Sequence, residues 1–70
     1  MSEQDIHYFV TIYWIDGEVN EFDINNQTML EFLRAVDSNQ VGAFYKFKEV
    51  DGVEHRINKY RIRHIELTPQ

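Results

Sequence analysis

His7, His55 and His64 are the side chains best suited to proton transfer or metal binding near neutral pH, and their spacing favours neither. No two of them stand close enough along the chain to form a zinc-ligand pair. There is no cysteine, so thiolate metal sites and disulfides are excluded. His55 falls on the apolar side of an alternating segment, where a hydrogen-bonded core histidine is the simpler role. Asp16, Glu18, Glu21 and Asp23 cluster in one short stretch. Paired carboxylates can act as acid and base or hold calcium, but this spacing lacks the central Gly and terminal Glu of a calcium loop. A solvated strand face accounts for them more simply. Gly17, Gly42 and Gly52 stand alone, so no glycine-rich loop cradles a phosphate. Catalysis also needs a pocket that holds its groups, and 70 residues leave little room for one. The sequence therefore reads as non-enzymatic, with no catalytic residue, no cofactor and no metal.

Binding chemistry is better represented. Residues 1–40 carry eight acids and one base, Arg34, whereas residues 41–70 carry six bases and four acids. Such asymmetry can mark a partner surface. It can equally reflect charges that pair across the fold or face water, and exposed pairs are worth little. Lys46, Lys48, Arg56, Lys59, Arg61 and Arg63 could form one basic stripe, with Phe44 and Tyr60 among them to stack on bases. Against a nucleic-acid role, Glu49, Glu54 and Glu66 interrupt the stripe. The net charge of −5 and pI of about 5.0 also weaken long-range attraction to phosphate.

The elements that must position these groups begin with Ile6–Ile15. Nine of its ten residues are β-branched or aromatic, which fits a pleated strand. Tyr8, Val10, Ile12 and Trp14 alternate with Phe9, Thr11, Tyr13 and Ile15, so both faces are greasy. A single helix in so small a domain covers only one of them. Asp16-Gly17 signals a hairpin. A three-residue loop, Ile15-Asp16-Gly17 with Gly17 left-handed, puts Val10 and Ile12 on one face with Phe22 and Ile24. A two-residue loop would mix polar and apolar groups on both faces, because a one-residue slip inverts every side chain. The second strand then runs over about Glu18–Ile24.

Thr28-Met29-Leu30-Glu31 matches a capping box, which predicts a helix from about Met29 to Ser38. Its core stripe is Met29, Phe32, Leu33 and Val36, with Leu30 beside it and Glu31, Arg34 and Asp37 opposite. Asn39 can end the helix in a left-handed conformation. Ala43–Val50 alternates again, and Val50-Asp51-Gly52 repeats the first turn. A three-residue loop there aligns Tyr45 and Phe47 with Val53, His55 and Ile57, and Lys46 and Lys48 with Glu54 and Arg56. Ile62 and Ile65 are three apart, which is not strand spacing, so a short helical turn is placed near Lys59–Ile62. A last strand, Arg63–Thr68, buries Ile65 and Leu67, and Pro69 stops its ladder.

The expected fold is α+β: one antiparallel sheet of about five strands, open to strong curling, in the order strand–strand–helix–strand–strand–strand, with the helix on one face. Residues 1–70 form a single domain, with residues 1–5 as a flexible end. No apolar run is long enough to span a membrane, and the acidic start lacks a secretory signal's basic region, which points to a cytoplasmic protein.

The segment Ile57-Asn58 through Ile62-Arg63-His64-Ile65-Glu66-Leu67 resembles the closing strand of many small uncharacterised proteins of Gram-positive bacteria and their phages: an Ile-Asn pair, a short turn, then Ile-x-x-Ile-Glu. The resemblance covers residues 57–67. It implies a small accessory protein and carries no functional residue with it.

Two surfaces emerge. Phe9, Tyr13 and Ile15, with the acids Glu18, Glu21 and Asp23, form the expected protein-binding surface. Its partner is a second copy of the chain, or a basic surface approached in the manner of inhibitors that imitate nucleic acid. The alternative is nucleic-acid binding through Lys46, Lys48, Arg56, Lys59, Arg61 and Arg63.

Overall fold

The computed structural model describes residues 6–38 and 42–70. The expected flexible end at residues 1–5 and the left-handed helix end at Asn39 lie outside the described residues. The chain runs β1 (His7–Trp14), β2 (Val19–Asn25), α1 (Asn26–Asp37), β3 (Phe44–Lys48), β4 (Glu54–Asn58), a 3₁₀ turn (Lys59–Arg61) and β5 (Ile62–Pro69). The α+β class and the element order match the sequence reading; the single sheet does not. The strands form an antiparallel three-stranded sheet in the order β2-β1-β5 and a separate two-stranded sheet, β3-β4. The second hairpin meets the first mainly face to face. Among the described residues, backbone bonding between them is confined to its tip, where Val50 N donates to Asp23 O at 2.9 Å on the outer edge of β2.

Parity along β1 decides what is buried. Val10, Ile12, Phe22 and Ile24 share one face and lie in the core with Met29 and Phe32 of α1, Phe47 of β3 and Ile57 of β4. Both α1 and the second hairpin therefore cover the same face of the three-stranded sheet. Ring contacts fasten the layers. Phe22 and Phe47 meet edge to face at 5.2 Å, and Phe32 lies 5.6 Å from Phe47 and 5.9 Å from Tyr45.

Both turns take the three-residue form. Val10 pairs with Phe22 and Tyr13 with Val19, leaving Ile15-Asp16-Gly17 as the loop with Gly17 at φ +95°. Phe47 pairs with His55 and Lys48 with Glu54, leaving Val50-Asp51-Gly52 with Gly52 at φ +93°. In each turn the Asp carboxylate accepts from the backbone two residues on, Glu18 in one and Val53 in the other.

Four local expectations are corrected. The helix starts three residues earlier, with Asn25 as N-cap: its Oδ1 accepts from Thr28 N at 2.8 Å, while Glu31 bonds Gln27 instead of closing a box with Thr28. Leu30 stays exposed, and Ala35 joins Met29 and Phe32 as the buried line of α1. The 3₁₀ turn is present, but Ile62 belongs to β5. A bulge lets Trp14 face Ile62 and Tyr13 face His64, so Arg63 is the extra residue and Ile62 and Ile65 share the core side. Finally, Pro69 stands within the ladder opposite Tyr8, which an edge strand tolerates, and Ile65 and Leu67 are half-buried.

Candidate functional site

The face of the three-stranded sheet turned away from α1 is built in rows by register. Phe9 lies between Asp23 and Thr68, Thr11 between Glu21 and Glu66, and Tyr13 between Val19 and His64. Alternation puts all nine on one side. Phe9, Thr11 and Tyr13 are half-buried by these neighbours, whereas Val19, Glu21, His64, Glu66 and Thr68 are exposed. No second layer covers them among the described residues.

Polar contacts organise both ends of this face. The Tyr13 hydroxyl donates to Glu66 Oε1 at 3.1 Å, and its ring lies 5.3 Å from that of His64. The other Glu66 oxygen is 3.3 Å from His64 Nε2. The bulge at Arg63 brings its guanidinium 5.7 Å from the Tyr13 ring centre. The hydrogen bond to Glu66, and then that carboxylate's charge, hold the Tyr13 phenol above its ordinary value of 10.0. At the far end Asp23 Oδ1 accepts from Gln70 Nε2 at 2.7 Å and lies 3.7 Å from His7 Nδ1.

Of the six residues expected at a protein-binding surface, Phe9, Tyr13, Glu21 and Asp23 meet here. Ile15 sits at the adjoining hairpin tip, 59% exposed. Glu18 does not join them: it flanks the turn and lines a cleft on the other side of the sheet. His7, Arg63, His64 and Glu66 complete the face and were missed. The parity of β5 would have found His64 and Glu66 once β5 was paired with β1, and the parity of β1 finds His7; Arg63 comes in only through the bulge. They also change its character, because acid on β2 now sits beside potential cations on β1 and β5.

The six-residue basic stripe does not assemble. Lys59 is only 6% exposed, and its Nζ donates to the carbonyls of Ala35 and Ser38. It neutralises the carbonyl end of α1 and is closed to an outside ligand. Arg61 pairs with Asp16 at 3.3 Å at the tip of the first hairpin. Arg63 belongs to the Tyr13 face. Lys46, Lys48 and Arg56 alone share the solvent side of the second hairpin, beside Phe44.

The cleft, about 440 Å³, opens between the first hairpin and β4 and is lined by Trp14, Asn20, Phe22, His55, Ile57 and Arg61 among others. Several of its polar groups are already engaged. Trp14 Nε1 donates to Asn20 Oδ1 at 2.7 Å. His55 Nε2 lies 2.8 Å from Glu49 Oε1, and the second Glu49 oxygen accepts from Asp23 N at 2.9 Å. His55 is hydrogen-bonded, as its strand position suggested, but half-buried beside the core instead of enclosed in it, and Glu49 ties the second hairpin to β2. Among the described residues no group of three or more His, Asp or Glu side chains converges as a metal site, and no helix is long and apolar enough to cross a membrane. Compared with known proteins, the chain matches no family model, no curated protein and no solved structure.

Proposed function

We propose that the chain is a small, non-enzymatic protein-binding module that docks through the outer face of its three-stranded sheet, first of all with a second copy of itself. It needs no cofactor in this role. One observation carries the reading: α1 and the second hairpin pack on the same side of the sheet, so among the described residues Phe9 and Tyr13 have only flanking strands for cover. Rings at the centre of a polar rim are what anchor interfaces. The same face on a second copy offers rings of its own to pack against, and a two-fold pair of like faces closes as a dimer.

Size sets the strength. Three strands about 4.8 Å apart and about 26 Å long present a patch of roughly 14 by 26 Å. That lies at the small end of specific interfaces, where encounters are transient. A weak, regulated contact fits the accessory or inhibitory role suggested by the likeness of the closing strand to small proteins of Gram-positive bacteria and their phages, acting in the cytoplasm.

Sedimentation equilibrium over micromolar to millimolar concentration tests the proposal. The mass should rise with concentration, and Tyr13→Ala combined with Phe9→Ala should return it to that of the monomer without unfolding the chain. A strict monomer throughout removes self-association, and a dimer untouched by the double variant removes the site.

A further inference from the structure

We propose that the outer face of the second hairpin binds single-stranded nucleic acid, with Phe44 stacking on a base and Lys46 and Arg56 holding phosphate. This surface is separate from the Tyr13 face and depends on a different observation. Lys46 stands directly opposite Arg56. The ladder closes with Glu49 N bonded to Val53 O, so hydrogen-bonded and open pairs alternate from there and Lys46–Arg56 is an open pair. Open pairs bring side chains closest, and like charges facing one another there are destabilising. It is the only directly opposed pair of like charges in either sheet among the described residues. No carboxylate lies within 4.0 Å of either cation among them. The neighbouring pair, Lys48–Glu54, shows that the same hairpin accommodates an opposite-charge pair one step away.

An anion placed between the two cations removes the repulsion. The identity of the anion's carrier follows from Phe44. At 69% exposed it is the most exposed large apolar side chain of the described residues, and it lies on the same side of β3 as Lys46. Two residues along a strand span about 6.6 Å, a distance that lets one nucleotide put its base on the ring and its phosphate at the cations. Phe44, Tyr45, Lys46 and Arg56 together line a shallow depression of about 280 Å³. A flat ring flanked by cations on a sheet suits unstacked bases, which a duplex does not offer. A carboxylate peptide would satisfy the charge and leave the ring unused.

Fluorescence anisotropy with a short labelled oligothymidylate, at about 50 mM salt where phosphate contacts are strongest, tests this on the full chain. Binding should weaken as salt rises. Lys46→Glu should lower affinity about ten-fold or more while raising the thermal midpoint, because it turns a repelling pair into an attracting one. Phe44→Ala should lower affinity about ten-fold and leave the salt dependence unchanged. The proposal is overturned by no binding at low salt, by binding that either variant leaves intact, by equal affinity for a duplex, or by a Lys46→Glu chain less stable than the parent.

Discussion

Ile15-Asp16-Gly17 and Val50-Asp51-Gly52 close the two hairpins in the same way. In each, a backbone bond joins the residues flanking the loop, Trp14 N to Glu18 O and Glu49 N to Val53 O. In each, the Gly N–H returns to the residue before the loop. Yet the first hairpin acquires a third strand, β5, while the second remains a two-stranded ribbon. An isolated two-stranded hairpin is marginal in water. The second hairpin must therefore owe its order to what its inner face touches: Phe47 against Phe22 and Phe32, Tyr45 against Phe32, His55 against Phe22, and Glu49 bonded to Asp23 N. Turns of one form close both ribbons; tertiary contact separates their fates. The comparison extends outward, since one ribbon shows water a mixed aromatic face and the other an uncompensated basic pair.

The strongest way to break the comparison is to remove the packing on which the second hairpin relies. Phe47 is buried where α1, β2 and β3 converge. Phe47→Ala should cost about 3–5 kcal/mol. A 70-residue domain has roughly 3.5–10 kcal/mol in all, so the variant should lie at or near the edge of folding. Where it still folds, hydrogen exchange should show β3-β4 opening before β1-β2. Equal loss in both sheets would mean the ribbons are not energetically distinct. Next in size is Lys59→Met, which keeps the stem and deletes the donors to Ala35 O and Ser38 O. Losing these two charge-assisted bonds at the end of α1 should cost about 2 kcal/mol by chemical denaturation. The loss should appear in the last turn of α1 and the 3₁₀ turn that follows the second hairpin. A neutral outcome would show that shedding the buried charge compensates for the lost bonds.

How much of this was legible depended on range. Both loop lengths followed from parity, because only one register puts Val10 and Ile12 beside Phe22 and Ile24, or Phe47 beside Ile57. The cap was misplaced because Asn25 and Thr28 are both good N-cap residues three apart, and the choice rests on whether Asn25 Oδ1 or Glu31 reaches the open N–H groups. The broken period at Ile62 and Ile65 had two solutions, a helical turn or an extra strand residue; the chain uses a turn at Lys59–Arg61 and a bulge at Arg63 as well. The fate of Lys59 was out of reach, since the carbonyls it meets are more than twenty residues away in sequence. So was the split into two sheets, for apolar alternation says which face is buried but not which edges meet.

A smaller perturbation sharpens the comparison by striking the two turns alike. Gly17 and Gly52 both hold a positive φ, and a Cβ added to either meets nothing within 4 Å. The cost of alanine is then backbone strain alone, about 1 kcal/mol at each. Denaturant melts of Gly17→Ala and Gly52→Ala should agree to within about half of that. Hydrogen exchange should differ, with Gly52→Ala loosening only the second hairpin. A much larger loss at either site would mean that its turn bears tertiary load beyond the backbone.

The smallest effect separates the hairpins by the physics of one tyrosine on each. Tyr13 is held above its ordinary value first by its hydrogen bond to Glu66 and then by that carboxylate's charge. Tyr45 is raised first by burial against the core and then by Glu31. In both the folded state favours the neutral phenol. The sign follows: each contributes stability that is fully present below the unfolded value of 10.0 and is lost as pH rises through the higher folded value. Glu66→Gln should bring the Tyr13 phenolate titration down toward its ordinary value and leave Tyr45 where it is. Salt should do the same in part, because it screens an exposed charge and does little to a desolvation penalty. Phenolate absorbance, read in chains with Tyr8 and Tyr60 replaced by Phe and then with Tyr45→Phe to isolate Tyr13 or Tyr13→Phe to isolate Tyr45, resolves the two. If both tyrosines answered equally to salt, the second hairpin's inner face would be as wet as the first hairpin's outer one, and the distinction between the ribbons would fail at its root.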